Sequence, residues 1–206
     1  PSPITFTSIY GGEDYDARLE QSGWNKAGFN DTAWKNAILM TVPTGKLTEE
    51  KDYPLEIKET FSAKTIKKLE DGGYLYDFTQ NASGIVELKV KGKKGQIVRL
   101  IPSELITKEN QPNQSASGSP YSFSYTLKGD GEEIWRPRFT YYGFRYVKVE
   151  GAVPASERTN GETAQILDLK LLHNRNSTPS AGTFSCSNEL FNRTFDLINW
   201  GIKSNL

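Results

Sequence analysis

The chain has 206 residues, a mass of 23.1 kDa and 25 basic and 25 acidic side chains, so its formal net charge is zero. A neutral chain lacks the electrostatic footprint of nucleic-acid or anionic-membrane binding, and we expect neither partner. No apolar run reaches the roughly 18 residues that a spanning helix needs, and one cysteine with one histidine argues against a disulfide or a zinc site.

The first 40 residues do not read as a self-contained unit. Residues 4–10 alternate like a strand, and a cluster of acidic side chains follows at Glu13, Asp14 and Asp16. Residues 23–34 place glycine, Asn and Asp between bulky rings, which indicates compact turns. The segment is too short to form its own sheet, so it must pack on another unit.

The middle of the chain carries regular strand signals separated by turn residues. In residues 86–91, Val86, Leu88 and Val90 alternate with charged side chains, which is typical of a half-exposed strand. Similar patterns occur at residues 55–61, 74–78, 96–101, 121–127, 144–149 and 166–173. Short strands at this spacing predict an all-β fold, an antiparallel β-sandwich or jelly roll.

The end of the chain changes character. From Ser187 onward, Phe191, Phe195, Ile198 and Ile202 recur at the spacing of one helix face. The sequence therefore predicts a short C-terminal helix whose apolar face needs a partner surface. From this we expect the chain to be part of a longer protein.

The densest aromatic and arginine run is 135–151, and it holds the candidate binding residues. Arginine forks and ring faces suit sugars and carboxylates, so we consider a carbohydrate-binding platform here. Its members would be Trp135, Arg138, Tyr141, Tyr142 and Arg145. The favoured alternative is a sheet in which the arginines pair with neighbouring acids and stack on rings. In the second half, Phe144, Tyr146 and Lys148 are predicted to share one strand face.

Three other groups of residues invite functional hypotheses. The acidic cluster of Glu13, Asp14 and Asp16 suits calcium or acid–base work on a sugar, but a solvated turn is the favoured interpretation. Asp77, Gln80 and Asn81 suit a ligand at a strand end, although such residues more often bond their own turn backbone. His173 has no evident catalytic partners, so we expect a packing role.

No nucleophile, phosphate-loop or dinucleotide motif is present, and we predict no catalytic residue, no metal and no cofactor.

Four further motifs occur in order along the chain: residues 23–34, residues 76–84, residues 138–147, and residues 182–187 with Asn192 and Arg193. Together they resemble the bacterial α-L-rhamnosidases of glycoside hydrolase family 78. Thr79 departs from the pattern where Gly is common, and Tyr142 where His is often expected.

The resemblance implies a multidomain inverting glycosidase in which β-sandwich domains precede an (α/α)6 catalytic barrel. It implies that residues 1–40 are the tail of an N-terminal accessory β domain, 41–175 a concanavalin-like β-sandwich, and 176–206 a linker and the first helix of the barrel. The catalytic acids of the family lie further along, so none is carried over to this chain. A periplasmic or secreted location is slightly favoured over a cytoplasmic one.

Three functions follow as hypotheses. The first is a non-catalytic scaffold whose partner is the catalytic domain of the same polypeptide. The second is an independent module that binds rhamnose-containing glycans through the rings and arginines of 135–145. The third, supported only by the uncovered helix, is a protein-interaction sandwich.

Overall fold

The computed structural model describes residues 2–117 and 120–205, which form thirteen strands and one α-helix. The elements are β1 (Ile4–Ser8), β2 (Gly12–Asp16), β3 (Leu55–Ser62), β4 (Thr65–Lys68), β5 (Tyr74–Lys91), β6 (Ile97–Ser103), β7 (Leu105–Ile106), β8 (Pro112–Asn113), β9 (Ser122–Thr126), β10 (Glu132–Trp135), β11 (Tyr142–Glu150), β12 (Ala152–Pro154), β13 (Ala164–Asn176) and α1 (Glu189–Lys203). This confirms the predicted all-β class with a short C-terminal helix.

The 18-residue strand β5 organises the fold. Its first half pairs with β4 on one edge and with β11 on the other, and its second half pairs with β13 and β10. Beyond β11 the order continues through β6, β9, β2 and β1 within one 11-stranded sheet. Because β5 belongs to both halves, it ties them into one structure.

The sheet curls so that its two halves pack face to face. Trp135 on β10 lies 5.5 Å from Tyr125 on β9 and 6.0 Å from Tyr15 on β2, measured between ring centroids, although β9 and β2 are several strands away in hydrogen-bonding order. The alternation predicted for residues 86–91 is confirmed, since Val86, Leu88 and Val90 are fully buried in this core. Large rings and branched side chains from both halves thus fill one interior.

Two details differ from the antiparallel pattern expected from the sequence. β2 runs parallel to β9, and β12 runs parallel to β13. More than 100 residues separate β2 from β9, so no tight hairpin forces them to be antiparallel. At this pairing, Gly12 has φ +96°, and a Cβ there would lie 1.9 Å from the Ser122 carbonyl oxygen. Only glycine fits.

The face prediction for residues 144–149 was wrong because β11 contains a register shift between Phe144 and Tyr146. The shift places Phe144 in the same core as Val147 and Val149. Lys148, which was expected on the same strand face as Phe144, is buried. Its Nζ lies 2.7 Å from Asp71 Oδ2 and 2.9 Å from Glu150 Oε1.

Residues 20–54 contain no helix or strand, and residues 36–54 are exposed throughout.

Helix α1 starts where Asn188 accepts a hydrogen bond from the Leu190 N–H at 3.0 Å, as an N-cap does. The helix touches the sheet through Trp200, which packs 6.0 Å from Phe61. Leu197 on α1 remains 69% exposed and Leu39 fully so. Large apolar surfaces are therefore uncovered.

Within the described residues, no helix has the length and apolar character needed to cross a membrane.

Candidate functional site

The five candidate binding residues lie on β10, on β11 and on the loop between these strands, and they do not share one surface. Trp135 and Arg138 line a cleft of about 460 Å³. Tyr141 and Tyr142 line another cleft of about 270 Å³, and Arg145 lines neither. Since a platform needs its members on a common face, the structure divides the candidates into two sites and one ion pair.

Trp135 is a core residue, 5% exposed, whose indole is surrounded by Tyr15, Phe123 and Tyr125. Its ring faces are therefore unavailable for stacking on a sugar. The indole Nε1–H has no hydrogen-bond partner among residues 2–117 and 120–205. Burial and the hydrogen bond to Glu20 raise the pKa of the neighbouring Tyr15 to about 12.

Buried Glu13 fixes the chain next to Arg138. Its Oε2 accepts hydrogen bonds from the backbone N–H of Arg138 at 3.0 Å and of Phe139 at 3.4 Å. Burial raises the pKa of Glu13, although these two hydrogen bonds oppose the shift. The acidic cluster noted in the sequence is thus split: Glu13 holds a distant loop, while Asp16 pairs with Arg18 at 2.7 Å.

The Arg138 side chain is exposed, and within the described ranges its guanidinium has no hydrogen bond or ion pair. We name the surrounding hollow the arginine cleft, which is lined by Tyr15, Glu20, Glu87, Trp135, Arg136 and Arg138. Glu87 accepts from Arg136 Nε at 2.7 Å, and Glu20 accepts from Lys128 Nζ at 2.9 Å. Both carboxylates are therefore matched by cations.

We name the second hollow the tyrosine cleft, which is lined by Asn81, Ser83, Glu104, Tyr141, Tyr142 and Asn205. Tyr142 stacks on Tyr121 with 3.8 Å between ring centroids, and its hydroxyl donates to the Ile9 carbonyl at 2.7 Å. Tyr141 is 44% exposed and offers an open ring. Of the two tyrosines, Tyr141 therefore has the freer ring face.

Arg145 forms a two-pronged ion pair with Asp77, with Nε–Oδ1 and Nη2–Oδ2 distances of 2.8 Å each. This interaction lowers the pKa of Asp77. The Asp77 Oδ1 also accepts from the Thr79 N–H at 2.7 Å, and Thr79 has φ +65°. Asp77 and Arg145 thus stabilise the backbone of β5 around Thr79. This is the structural role that sequence reasoning favoured for them.

His173 is fully buried, and its Nδ1 lies 2.7 Å from the Ser83 carbonyl oxygen, to which it must donate. Its ring is 5.5 Å from Trp200, so His173 sits where α1 meets the sheet. This is the packing role predicted from the sequence. Among the described residues, no three His, Cys, Asp or Glu side chains are grouped so as to hold a metal ion.

Two family models match the chain. Residues 67–168 match the bacterial alpha-L-rhamnosidase concanavalin-like domain, and residues 1–59 match the alpha-L-rhamnosidase N-terminal domain.

Curated relatives agree with these matches. An alpha-L-rhamnosidase from Formosa agariphila is 32% identical over 99% of this chain and 21% of its own length. One from Streptomyces avermitilis is 32% identical over 98% of this chain and 19% of its own length. The chain thus spans about a fifth of each of these relatives.

Solved structures show the same relationship in three dimensions. The alpha-L-rhamnosidase from Dictyoglumus thermophilum superimposes with a TM-score of 0.86 and 38% identity, covering 100% of this chain and 22% of that one. The Aspergillus terreus enzyme gives 0.85 and 31%, covering 98% and 23%. The chain therefore belongs to the bacterial α-L-rhamnosidase family and corresponds to the N-terminal and concanavalin-like domains of that family.

Proposed function

We propose that the chain is a non-catalytic scaffold that docks onto the catalytic domain of an α-L-rhamnosidase polypeptide. One observation carries the proposal: large apolar side chains are exposed on both α1 and the irregular segment before β3. They include Ile38, Leu39 and Met40 in the segment and Leu190, Leu197 and Ile198 in the helix, each at least 55% exposed. Exposed apolar area on this scale marks an interaction surface.

The proposal includes a division of the chain into three parts. We propose residues 1–40 as the tail of an N-terminal accessory domain, 41–175 as the β-sandwich, and 176–206 as a linker and the first helix of the catalytic domain. The relatives support a longer parent polypeptide, because the region that matches this chain is about a fifth of each of them.

Calorimetry tests docking directly. The chain is titrated with the catalytic region of an α-L-rhamnosidase polypeptide, and we expect binding that weakens at least tenfold when Leu197→Asp and Leu39→Asp are combined. The control carries charged substitutions at the exposed polar positions Thr44 and Thr194. Equal affinity of both variants would contradict docking through the apolar surface.

Activity tests the non-catalytic part. The purified chain should release no aglycone from an aryl α-L-rhamnoside. Turnover that persists through further purification would overturn the scaffold proposal.

A second candidate, an independent carbohydrate-binding module, is favoured by the tyrosine cleft, which combines the open ring of Tyr141 with the polar groups of Asn81, Glu104 and Asn205. Sugars are commonly held by such a mixture. Titration with rhamnose should then produce heat that Tyr141→Ala abolishes, whereas an absence of heat at millimolar rhamnose argues for the scaffold alone.

A further inference from the structure

The only histidine of the chain lies where helix α1 meets the sheet. His173 is fully buried, its Nδ1–H donates to the Ser83 carbonyl oxygen on β5 at 2.7 Å, and the Trp200 ring of α1 packs 5.5 Å from its own ring. In residues 2–117 and 120–205, its Nε2 has no hydrogen-bond partner. A proton taken up by this enclosed nitrogen would place a positive charge inside the contact between helix and sheet.

Charged side chains from three elements lie around His173. On β3, Glu59 Oε2 is 3.7 Å from Nε2, and on β13 Arg175 donates to both Glu59 oxygens, at 3.1 and 3.4 Å. On α1, Lys203 Nζ is 4.7 Å from the centre of the Trp200 ring. Burial works to raise the pKa of Glu59, but Arg175 and Lys203 hold it below its usual value. Glu59 is therefore charged throughout the pH range in which a histidine ordinarily titrates.

These groups differ in whether they stay beside His173 when α1 leaves the sheet. His173 and Glu59 are register partners in the pairing of β13 with β3, and Arg175 is also on β13. Their interactions are thus present with the helix docked and with the helix released. A proton shifts an equilibrium only through interactions that differ between the two states. The groups that α1 itself brings therefore decide the direction.

Helix α1 makes a charged His173 unfavourable in two ways. It keeps water away from the ring, and it brings the like charge of Lys203 towards it. The Trp200 ring face attracts a cation, but this attraction is weaker than the cost of removing a cation from water. The docked helix therefore favours the neutral imidazole.

We propose that the contact between α1 and the sheet is pH-sensitive and is released when His173 takes up a proton. Since the docked state disfavours the charged ring, protonation pulls the equilibrium towards the released helix. An imidazole ordinarily titrates near about pH 6.5, so the contact is strong at pH 8 and weakens towards pH 5. The device lies within the chain and needs no second protein, so it does not depend on the docking function proposed above.

Hydrogen exchange with mass spectrometry tests release in the whole chain, because a freed helix of 15 residues is marginal and loses its amide protection. Exchange is compared at pH 8 and pH 5 after correction for the pH dependence of intrinsic exchange. We expect the protection of residues 189–203 to fall about tenfold at pH 5, while residues 86–90 in the core of β5 stay protected. Constant protection of the helix would overturn the proposal. A rise at pH 5 would also overturn it, because attraction to Glu59 would then outweigh the lost water.

His173→Gln assigns the effect to the imidazole. The glutamine amide can donate to the Ser83 carbonyl oxygen but does not titrate, so helix protection in this variant should be the same at both pH values. Buried Glu13 is present in both chains, and its protonation stabilises the fold at low pH, which is the opposite direction. A tenfold fall that persists in His173→Gln would overturn the proposal.

Lys203→Gln keeps the histidine and tests the same step if His173→Gln does not fold. Removing the like charge should reduce the fall in helix protection to about threefold or less. Lys46→Gln makes the same change of charge at an exposed position before β3 and should behave like the parent chain. Equal falls in Lys203→Gln and Lys46→Gln would contradict the assigned role of the helix cation and overturn the proposal.

Discussion

At the scale of single residues, Glu13 has a structural role that its sequence context does not suggest. It lies in a run of acids, yet it is fully buried and holds the loop after β10 through two backbone N–H groups. Its other oxygen, Oε1, has no partner among the described residues. The carboxylate therefore stabilises the loop at the cost of burying a charge.

The raised pKa of Glu13 predicts a pH-dependent stability. Because burial raises the folded-state pKa above 4.5, the favourable contribution is present below the unfolded pKa and is lost as pH rises through the folded one. Glu13→Gln does not titrate, so its stability relative to the parent chain should increase with pH from 4 to 8. Urea denaturation at each pH measures this difference.

The Glu13→Ala control separates charge from hydrogen bonding. It leaves the N–H groups of Arg138 and Phe139 unpaired and should cost about 2–3 kcal/mol at neutral pH. A pH-independent difference between Glu13→Gln and the parent chain would refute the buried-charge account.

Thr79 is strained in its backbone. Its φ of +65° belongs to the left-handed region, where a Cβ is unfavourable, and its hydroxyl lies 2.6 Å from the Phe78 carbonyl oxygen. We expect Thr79→Gly to be more stable than Thr79→Ala by about 0.5–1 kcal/mol, since both lack the hydroxyl and differ only in the Cβ. Chemical denaturation of the pair decides the matter, and a more stable Ala variant would show that no strain is present.

At the scale of elements, the close approach of β5 and β13 depends on Gly84. Its φ is +155°, and a Cβ at this position would lie 2.0 Å from the Leu172 carbonyl oxygen, which belongs to the backbone and cannot rotate away. Gly84→Ala should therefore separate the two strands and cost at least about 3 kcal/mol. Thermal unfolding measures the loss.

The control for this substitution is Gly131→Ala. Gly131 also has a positive φ, +88°, but a Cβ there would meet nothing within 4 Å. It should cost only the left-handed strain less the backbone entropy that alanine saves, about 0.5–1 kcal/mol. Equal losses at both positions would show that the contact with β13 is unimportant.

Trp200 supplies the ring contacts between helix α1 and the sheet. None of its residues is fully buried, and Trp200 packs against Phe61 and His173. A helix of 15 residues is marginal on its own. Trp200→Ala should therefore reduce the helical circular-dichroism signal at 222 nm while the sheet keeps its unfolding midpoint.

Leu197→Ala provides the comparison on the same helix, because this side chain is 69% exposed and should leave the signal unchanged. If Trp200→Ala also retains full helicity, α1 is held by contacts other than the indole.

At the scale of the whole molecule, strands β1 and β2 of the N-terminal segment belong to the same sheet as the sandwich strands. β2 forms five register pairs with β9, and Tyr15 covers Trp135 and Tyr125 in the core. Removal of residues 1–20 should expose these rings and weaken cooperative unfolding. Near-ultraviolet circular dichroism and binding of an apolar dye measure this, and a truncated chain with native-like spectra would contradict it.

Local physics made much of the architecture predictable from sequence. Alternation over residues 86–91 reflects a strand with one buried face, and the four-three-four spacing after Ser187 reflects a helix face. Both depend only on neighbouring residues, so both were confirmed. The motifs at residues 76–84 and 138–147 likewise carried the family resemblance that the comparisons then established.

Long-range geometry decided what the candidate residues do. Nothing local to Trp135 says that rings from β2 and β9 will enclose it, and nothing local to Glu13 says that it will meet Arg138, 125 residues away. The register shift in β11 also moved Phe144 to an unexpected face. The sequence by itself determined the strands, the helix and the family, because those follow from periodicity and motif. Only the tertiary structure divided the aromatic and arginine residues into core, ion pair and two clefts, because burial depends on strands brought together from distant parts of the chain.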